Sequence, residues 1–378
     1  MDADLRQPLR QQSWRDRLKP FALTPLRLAT ALVLLSAFGF VVWSSQTYDP
    51  ALGEPVVHLQ IEPAASANTA LITTTPQDEA VAPADAEQPV EDLETIETET
   101  AVIVAPRIKL VRAPADGLFE KGSDGPLPKL SSDGRRPFDV YARPVHKGIL
   151  QSSQPKIAIL LGGMGINGEL TSRAIKELPE EITFAFAPYG ANLQEIIDDA
   201  RSRGHEVMLQ LPMEPFGYPN SNPGPHTLLV DAGAKATAAS LSWLLSRFTG
   251  YTGVVNYLGA RFTSEMKALT PAMKMLKDRG LVYLDDGSSP RSVAEETAAG
   301  IDLPSRQADL LIDSESNFNA ITAKLQKLEQ LSRNGQMAIG VGTGLPATID
   351  AVQNWAKRLE ARGILLVPVS AAFRSPSG

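Results

Sequence analysis

Lys156–Gly165, KIAILLGGMG, decides the fold. Its apolar run, Ile157 to Leu161, contains two isoleucines and shows no alternation. A run of that kind predicts a strand buried on both faces, as in a parallel sheet. The strand is expected to stop at Gly162-Gly163 and to hand over to a helix beginning near Asn167. Downstream, strand-like segments recur at 182–187, 206–211, 253–257, 281–284, 308–312, 337–341 and 364–369, with helical periodicity between them. Leu170, Ala174, Ile175 and Leu178 share one helical face, as do Leu241, Leu244, Leu245 and Phe248. Eight β/α units in the 155–373 domain predict a distorted seven- or eight-stranded (β/α) barrel, compact beside the usual length of about 250 residues. An open doubly wound sheet is the alternative.

Upstream of this domain the composition changes three times. Residues 1–25 are basic, and Leu28–Trp43 is a run of sixteen residues without a charge. Crossing a bilayer takes about 20 residues, so the span is read as 26–45. The basic flank places the N-terminus in the cytoplasm and the rest outside it. No A-x-A cleavage site follows Trp43, which favours an uncleaved anchor over a signal peptide. Residues 46–105 contain no Lys or Arg and twelve Asp or Glu. They are read as an acidic, self-repelling tether that cannot bury enough apolar surface to order itself. Residues 106–154 form a proline-rich lead-in, with FDVYARPV (138–145) expected to pack along the domain. The expected address is therefore the inner membrane, single-pass, with the domain in the periplasm.

Bulk properties exclude some functions. A net charge of −7 over 378 residues offers no basic stripe to offset phosphates, so nucleic acid is not a partner. With no cysteine there is neither a disulfide framework nor a thiolate metal site. The run Gly340–Gly344 lacks the lysine of a phosphate-binding loop.

Barrel enzymes carry their chemistry at the C-terminal ends of the strands. The predicted ends bring Gly162 and Gly163, Gln210 and Glu214, Asn256, Tyr257 and Arg261, Asp285 and Asp286, Asp313 and Thr343 to one rim. Glu214, Asp285 and Asp286 are the candidate catalytic carboxylates; helix capping and an ion pair to Arg261 are the structural alternative. Gln210, Asn256, Tyr257, Arg261 and Thr343 are candidate substrate-binding residues. Tyr189, Phe216, Tyr218 and Tyr257 are candidate stacking platforms for a sugar.

From about 156 to 371 the chain resembles the divergent polysaccharide deacetylases, bacterial envelope proteins with a distorted β/α barrel. The resemblance rests on KIAILLGGMG, the strand ending in LPMEP, NYLGARFT, the strand ending in LDDGSS, and GVGTGLPATID before LVPVS. It implies an Asp-Asp pair after the first strand, supplying a base and a metal ligand, and histidines at three further points. Here those positions are Gly162-Gly163, Gln210, Tyr257 and the turn holding Thr343 and Leu345. The histidines present are His58, His146, His205 and His226, none at a matching position. Zinc-assisted amide hydrolysis needs a Lewis acid, a metal-bound water and a base, and these side chains supply none of them. The expected cofactor is none, with Mg2+ or Ca2+ held by Glu214, Asp285 and Asp286 as the alternative. Two functions follow from the resemblance. One is a catalytically degenerate barrel that binds glycan, peptidoglycan or an envelope protein partner. The other is a carbohydrate hydrolase working through the carboxylate group.

Overall fold

The computed structural model describes residues 108–334 and 337–374. The basic segment, the 26–45 span and the acidic 46–105 tether lie outside them. Among the described residues no helix is long and apolar enough to cross a membrane.

One parallel sheet organises the domain. Its strands are β3 (Lys156–Met164), β4 (Thr183–Phe186), β5 (Val207–Met213), β6 (Gly253–Leu258), β7 (Val282–Asp285), β8 (Ser305–Gln307), β9 (Leu310–Leu311) and β10 (Ala338–Thr343). Two short strands outside this path are β1 (Phe119–Lys121) and β2 (Pro126–Pro128), which pair as an antiparallel hairpin. The order across the sheet is β8-β7-β6-β5-β4-β3-β10-β9, and a ninth strand, β11 (Leu365–Leu366), joins the base of β3. Helices such as Gly168–Glu177, Leu193–Ser202, Gly233–Leu245 and Met266–Asp278 connect successive strands.

The two margins of this sheet meet in a single stretch of chain. Residues 305–307 pair with β7, and Leu310–Leu311 pair with β10. Between them the Ala308 N–H donates to Asp285 (2.8 Å) and the Asp309 N–H to Ile339 (2.9 Å). The sheet therefore curls into a distorted barrel whose seam is one bent strand.

Residue alternation along the strands produces two apolar layers, as the period of two requires. Ile157, Ile159 and Leu161 face the helices with Phe184, Phe186, Leu209 and Tyr283. Ala158 and Leu160 face inward with Ala185, Met208, Val255, Leu284 and Val341. Val367, Val369, Ala371 and Ala372 belong to the inner cluster and plug its base, together with Phe138 from the lead-in.

Three strand expectations are corrected. β3 does not stop at Gly162; it runs to Met164 through an irregularity between Leu161 and Met164. Gly163 there has φ +74°, which a glycine adopts without steric cost. The expected strand 308–312 is split, and its first paired residues lie upstream at Ser305–Gln307. The expected strand 364–369 shrinks to Leu365–Leu366, because the chain then turns under the barrel as a short 3-10 helix at Val369–Phe373. The hairpin at 119–128 was not expected at all. The first two glycines of GVGTG, Gly340 and Gly342, lie in β10, where a Cβ at Gly340 would come within 2.8 Å of Leu328.

Buried polar groups fix the two chain ends to this base. Glu206 is fully buried and accepts N–H bonds from Arg143 (3.1 Å) and Ser370 (3.0 Å). Arg201 donates to the carbonyls of Tyr141 (3.0 Å), Gly250 (2.7 Å) and Val111 (2.8 Å). Burial lowers its pKa to about 10, because no carboxylate bonds to the guanidinium. His205 is buried at the same end, with its ring nitrogens against the carbonyls of Ile182 (3.1 Å) and Ile175 (3.2 Å).

Candidate functional site

The C-terminal mouth of the barrel holds a cavity of 360 Å³. Gly163 and Met164 of β3, Pro188 after β4, Gln210 and Pro212 of β5, Tyr257 of β6 and Thr343 of β10 line it. Three of the expected binding residues, Gln210, Tyr257 and Thr343, are therefore brought together. Apolar side chains that read in sequence as ordinary core or loop complete the wall. Ile166 and Leu345 are among the more exposed large apolar residues, at 61% and 39%.

Gln210 sits where the resemblance placed a histidine, and it is coupled to the two glycines. The Gly163 N–H donates to Gln210 Oε1 at 2.7 Å. A Cβ on Gly162 would collide with the same amide, at 3.0 Å from its Cδ and closer still to Nε2. A Cβ on Gly163 would lie 3.2 Å from Thr343 Cγ2. The glutamine thus fills the space that a side chain at 162 would need.

Two tyrosines form an aromatic wall. Tyr257 is 46% exposed. It precedes Leu258, a residue with φ +57°, and the Asn256 amide donates to the Leu258 carbonyl at 2.9 Å. Non-glycine residues in that region are strained; here the strain presents Tyr257 to the mouth. The Tyr189 hydroxyl donates to Pro225 (2.6 Å), and burial, reinforced by Tyr257, pushes its pKa up to about 12. Of the other candidate platforms, Phe216 is exposed with Arg291 over its ring at 4.2 Å. Tyr218 is not among the residues of the mouth cavity; it lines a neighbouring shallow depression with His226.

The remaining expected site residues lie outside the cavity lining, with their polar atoms engaged in local structure. Glu214 is buried; one oxygen pairs with the Arg261 guanidinium and the other accepts the Val230 N–H at 2.7 Å. Arg261 also reaches Asp231 at 2.9 Å. Asp285 accepts the Gly287 N–H (2.9 Å) and the Ser292 hydroxyl. Asp286 accepts the Ser288 N–H at 2.9 Å, and its own N–H donates to Asn256 at 2.8 Å. Asp313 accepts the Thr343 N–H (2.6 Å) and the Thr348 hydroxyl (3.1 Å). Burial raises the carboxyls of Asp286 and Asp313 above their ordinary value. Asp285 and Asp286 brace their own turn, whereas Glu214 and Asp313 tie their strand ends to segments distant in sequence.

That arrangement suits neither metal. A hard cation would have to displace Arg261 from Glu214 and strip two donors from Asp285. At the zinc positions the glycines offer no ligand, and Gln210 Oε1 already accepts an N–H. Among the described residues no three His, Cys, Asp or Glu side chains converge as a ligand set. Removing Glu214 should instead loosen the 215–230 loop. Glu214→Ala removes the acceptor of a half-buried N–H and one partner of a partly exposed arginine, so we expect a loss of about 1 kcal/mol, from the N–H alone. Urea denaturation and faster proteolytic cutting within 215–230 would register it; an unchanged midpoint would show that the pair holds nothing.

Fold and site together define a deacetylase-type β/α barrel with a rebuilt mouth. Residues 159–373 match the family described as divergent polysaccharide deacetylase, and the chain belongs to that family. A crystal structure of an uncharacterized protein from Agrobacterium tumefaciens C58 is 43% identical. It covers 65% of this chain and 99% of its own, with a TM-score of 0.63. The uncharacterized protein YibQ of Escherichia coli K12 is 23% identical over 221 residues, 58% of this chain and 68% of its own. An uncharacterized protein of Haemophilus influenzae Rd is 23% identical over 207 residues, 55% of this chain and 73% of its own.

Proposed function

We propose that this protein is a non-catalytic, carbohydrate-binding member of its family, acting on the glycan of the cell envelope by holding it. The observation that carries this reading is the exchange at the mouth. The positions for base and metal are Gly162, Gly163, Gln210 and Tyr257, yet an open cavity remains, walled by Tyr189 and Tyr257. Aromatic faces of this kind suit the C–H face of a sugar ring, and Gln210 and Thr343 add polar contacts. The basic segment before Leu28 and the uncharged run to Trp43 support an inner-membrane anchor. The acidic 46–105 stretch would then tether the barrel in the periplasm.

The test separates binding from chemistry. The purified chain should carry no stoichiometric zinc and release no acetate from N-acetylated oligosaccharides, even with zinc added. It should nevertheless be retained on insoluble peptidoglycan. Acetate release that is lost on chelation and regained with zinc would show that the protein is an enzyme after all. Failure to be retained would remove the binding half of the reading.

A further inference from the structure

The cavity has a property that its carboxylate-bearing rim conceals. None of the residues lining it carries a charge at neutral pH. The walls are proline, leucine, isoleucine, methionine and glycine, with a few neutral polar groups. Among those groups, Gln210 is held in one orientation. The Gly163 N–H needs an acceptor, so Oε1 must face it and the reversed amide is excluded. The Nε2 group makes no hydrogen bond among the described residues, and Gln210 is one of the residues that line the cavity. The glutamine therefore keeps both NH2 donors unengaged in a largely apolar setting, while its oxygen is turned to the Gly163 N–H.

We propose that the pocket selects sugar residues by charge, with Gln210 as the specificity-determining group. It takes an uncharged sugar, whose hydroxyl or carbonyl oxygen accepts from Gln210 Nε2. It excludes residues bearing a free amine or a carboxylate. An ammonium would meet the Gln210 donors, mostly apolar walls and a few neutral oxygens, with no carboxylate to compensate its desolvation, and a carboxylate would find no cation. Thr343 and Tyr257 then contribute contact, while the charge preference comes from the amide and the absence of ionised groups around it. This inference rests on the glycan-binding reading above.

The experiment uses the full chain, immobilised, with four tetrasaccharides as probes. Cellotetraose and chitotetraose are uncharged, the glucosamine tetramer is cationic and tetragalacturonate is anionic. The two neutral probes should bind at least about ten-fold tighter than either charged one. Gln210→Glu keeps the acceptor for the Gly163 N–H but replaces the donor with an oxygen. It should weaken the neutral probes by about ten-fold and shift preference toward the glucosamine tetramer. Gln210→Leu, which removes the donor without adding charge, should weaken the neutral probes and gain no preference for the cation. Should Gln210→Glu fail to fold, the leucine variant and the parent's own selectivity still decide the matter. Equal binding of neutral and charged probes by the parent, or unchanged binding in both variants, would overturn the charge selection and leave glycan binding standing. Binding of none of the four would overturn both.

Discussion

Glu206→Ala is expected to lower the free energy of unfolding by about 3–5 kcal/mol, because it strands two buried backbone N–H groups. Those groups belong to Arg143 of the lead-in and Ser370 of the C-terminal plug, so one carboxylate, on the residue just before β5, fastens both ends of the domain. Glu206→Gln is also expected to destabilise. A carboxylate presents an acceptor to each N–H, whereas an amide must turn its NH2 toward one of them. The pH dependence follows from burial, which is the largest influence on Glu206 and raises its carboxyl above the ordinary 4.5 against the pull of its donors. The native state then holds this proton more tightly than the unfolded chain does. Stability attributable to Glu206 should therefore fall as pH rises from 4.5 to the native value and level off beyond it. Urea midpoints measured across that range should fall more steeply in the parent than in Glu206→Gln, where the slope left over belongs to the other raised carboxyls such as Asp286 and Asp313. A parallel pair of curves would mean that the carboxyl is not perturbed.

Restoring the aspartates at the mouth should fail, and for a local reason. Gly162→Asp drives the Gln210 amide away from the Gly163 N–H, and Gly163→Asp places a Cβ at φ +74°. The left-handed conformation costs an aspartate about 1 kcal/mol, the low end for a side-chain-bearing residue, so the double variant should lose about 2–3 kcal/mol in all. It should also bind no zinc stoichiometrically, since Gln210 and Tyr257 remain. The coupling can be isolated with a double-mutant cycle between Gly162→Asp and Gln210→Ala. The aspartate should cost less by about 1 kcal/mol when the glutamine is gone. Strict additivity would indicate that the two side chains do not compete for the same space.

The strands that were legible are those buried on both faces. KIAILL, TFAF and VYLD carry enough apolar residues to declare themselves without any tertiary information. Ser305–Gln307 did not, because SRQ is polar and is ordered only by its pairing to Tyr283, Leu284 and Asp285. The last run, ILLVPV, misled in the opposite direction. Its apolar residues fill the base of the barrel instead of forming a full strand, and Pro368 cannot donate to a ladder.

At the site, position along the strands was enough to find Gln210, Tyr257 and Thr343. It was not enough to separate binding groups from struts. Glu214, Asn256, Arg261, Asp285 and Asp286 stand at the same rim, but their partners include backbone groups in adjacent turns, which residue type does not announce. Ile166, Pro212 and Leu345 were missed because an apolar side chain in a pocket wall reads as core.

The seam at 305–312 has a consequence for synthesis. On the ribosome, β3 emerges long before the strand it must lie beside: Ile157 pairs with Ala338. Until 305–312 and β10 have both been made, the growing chain is an incomplete arc with the inward faces of Leu160, Met208 and Val255 uncovered. Loop closure on that scale is slow, and such arcs are prone to associate with one another. The protein therefore spends its vulnerable period nearly finished, awaiting its last strand and then the plug that seals the bottom.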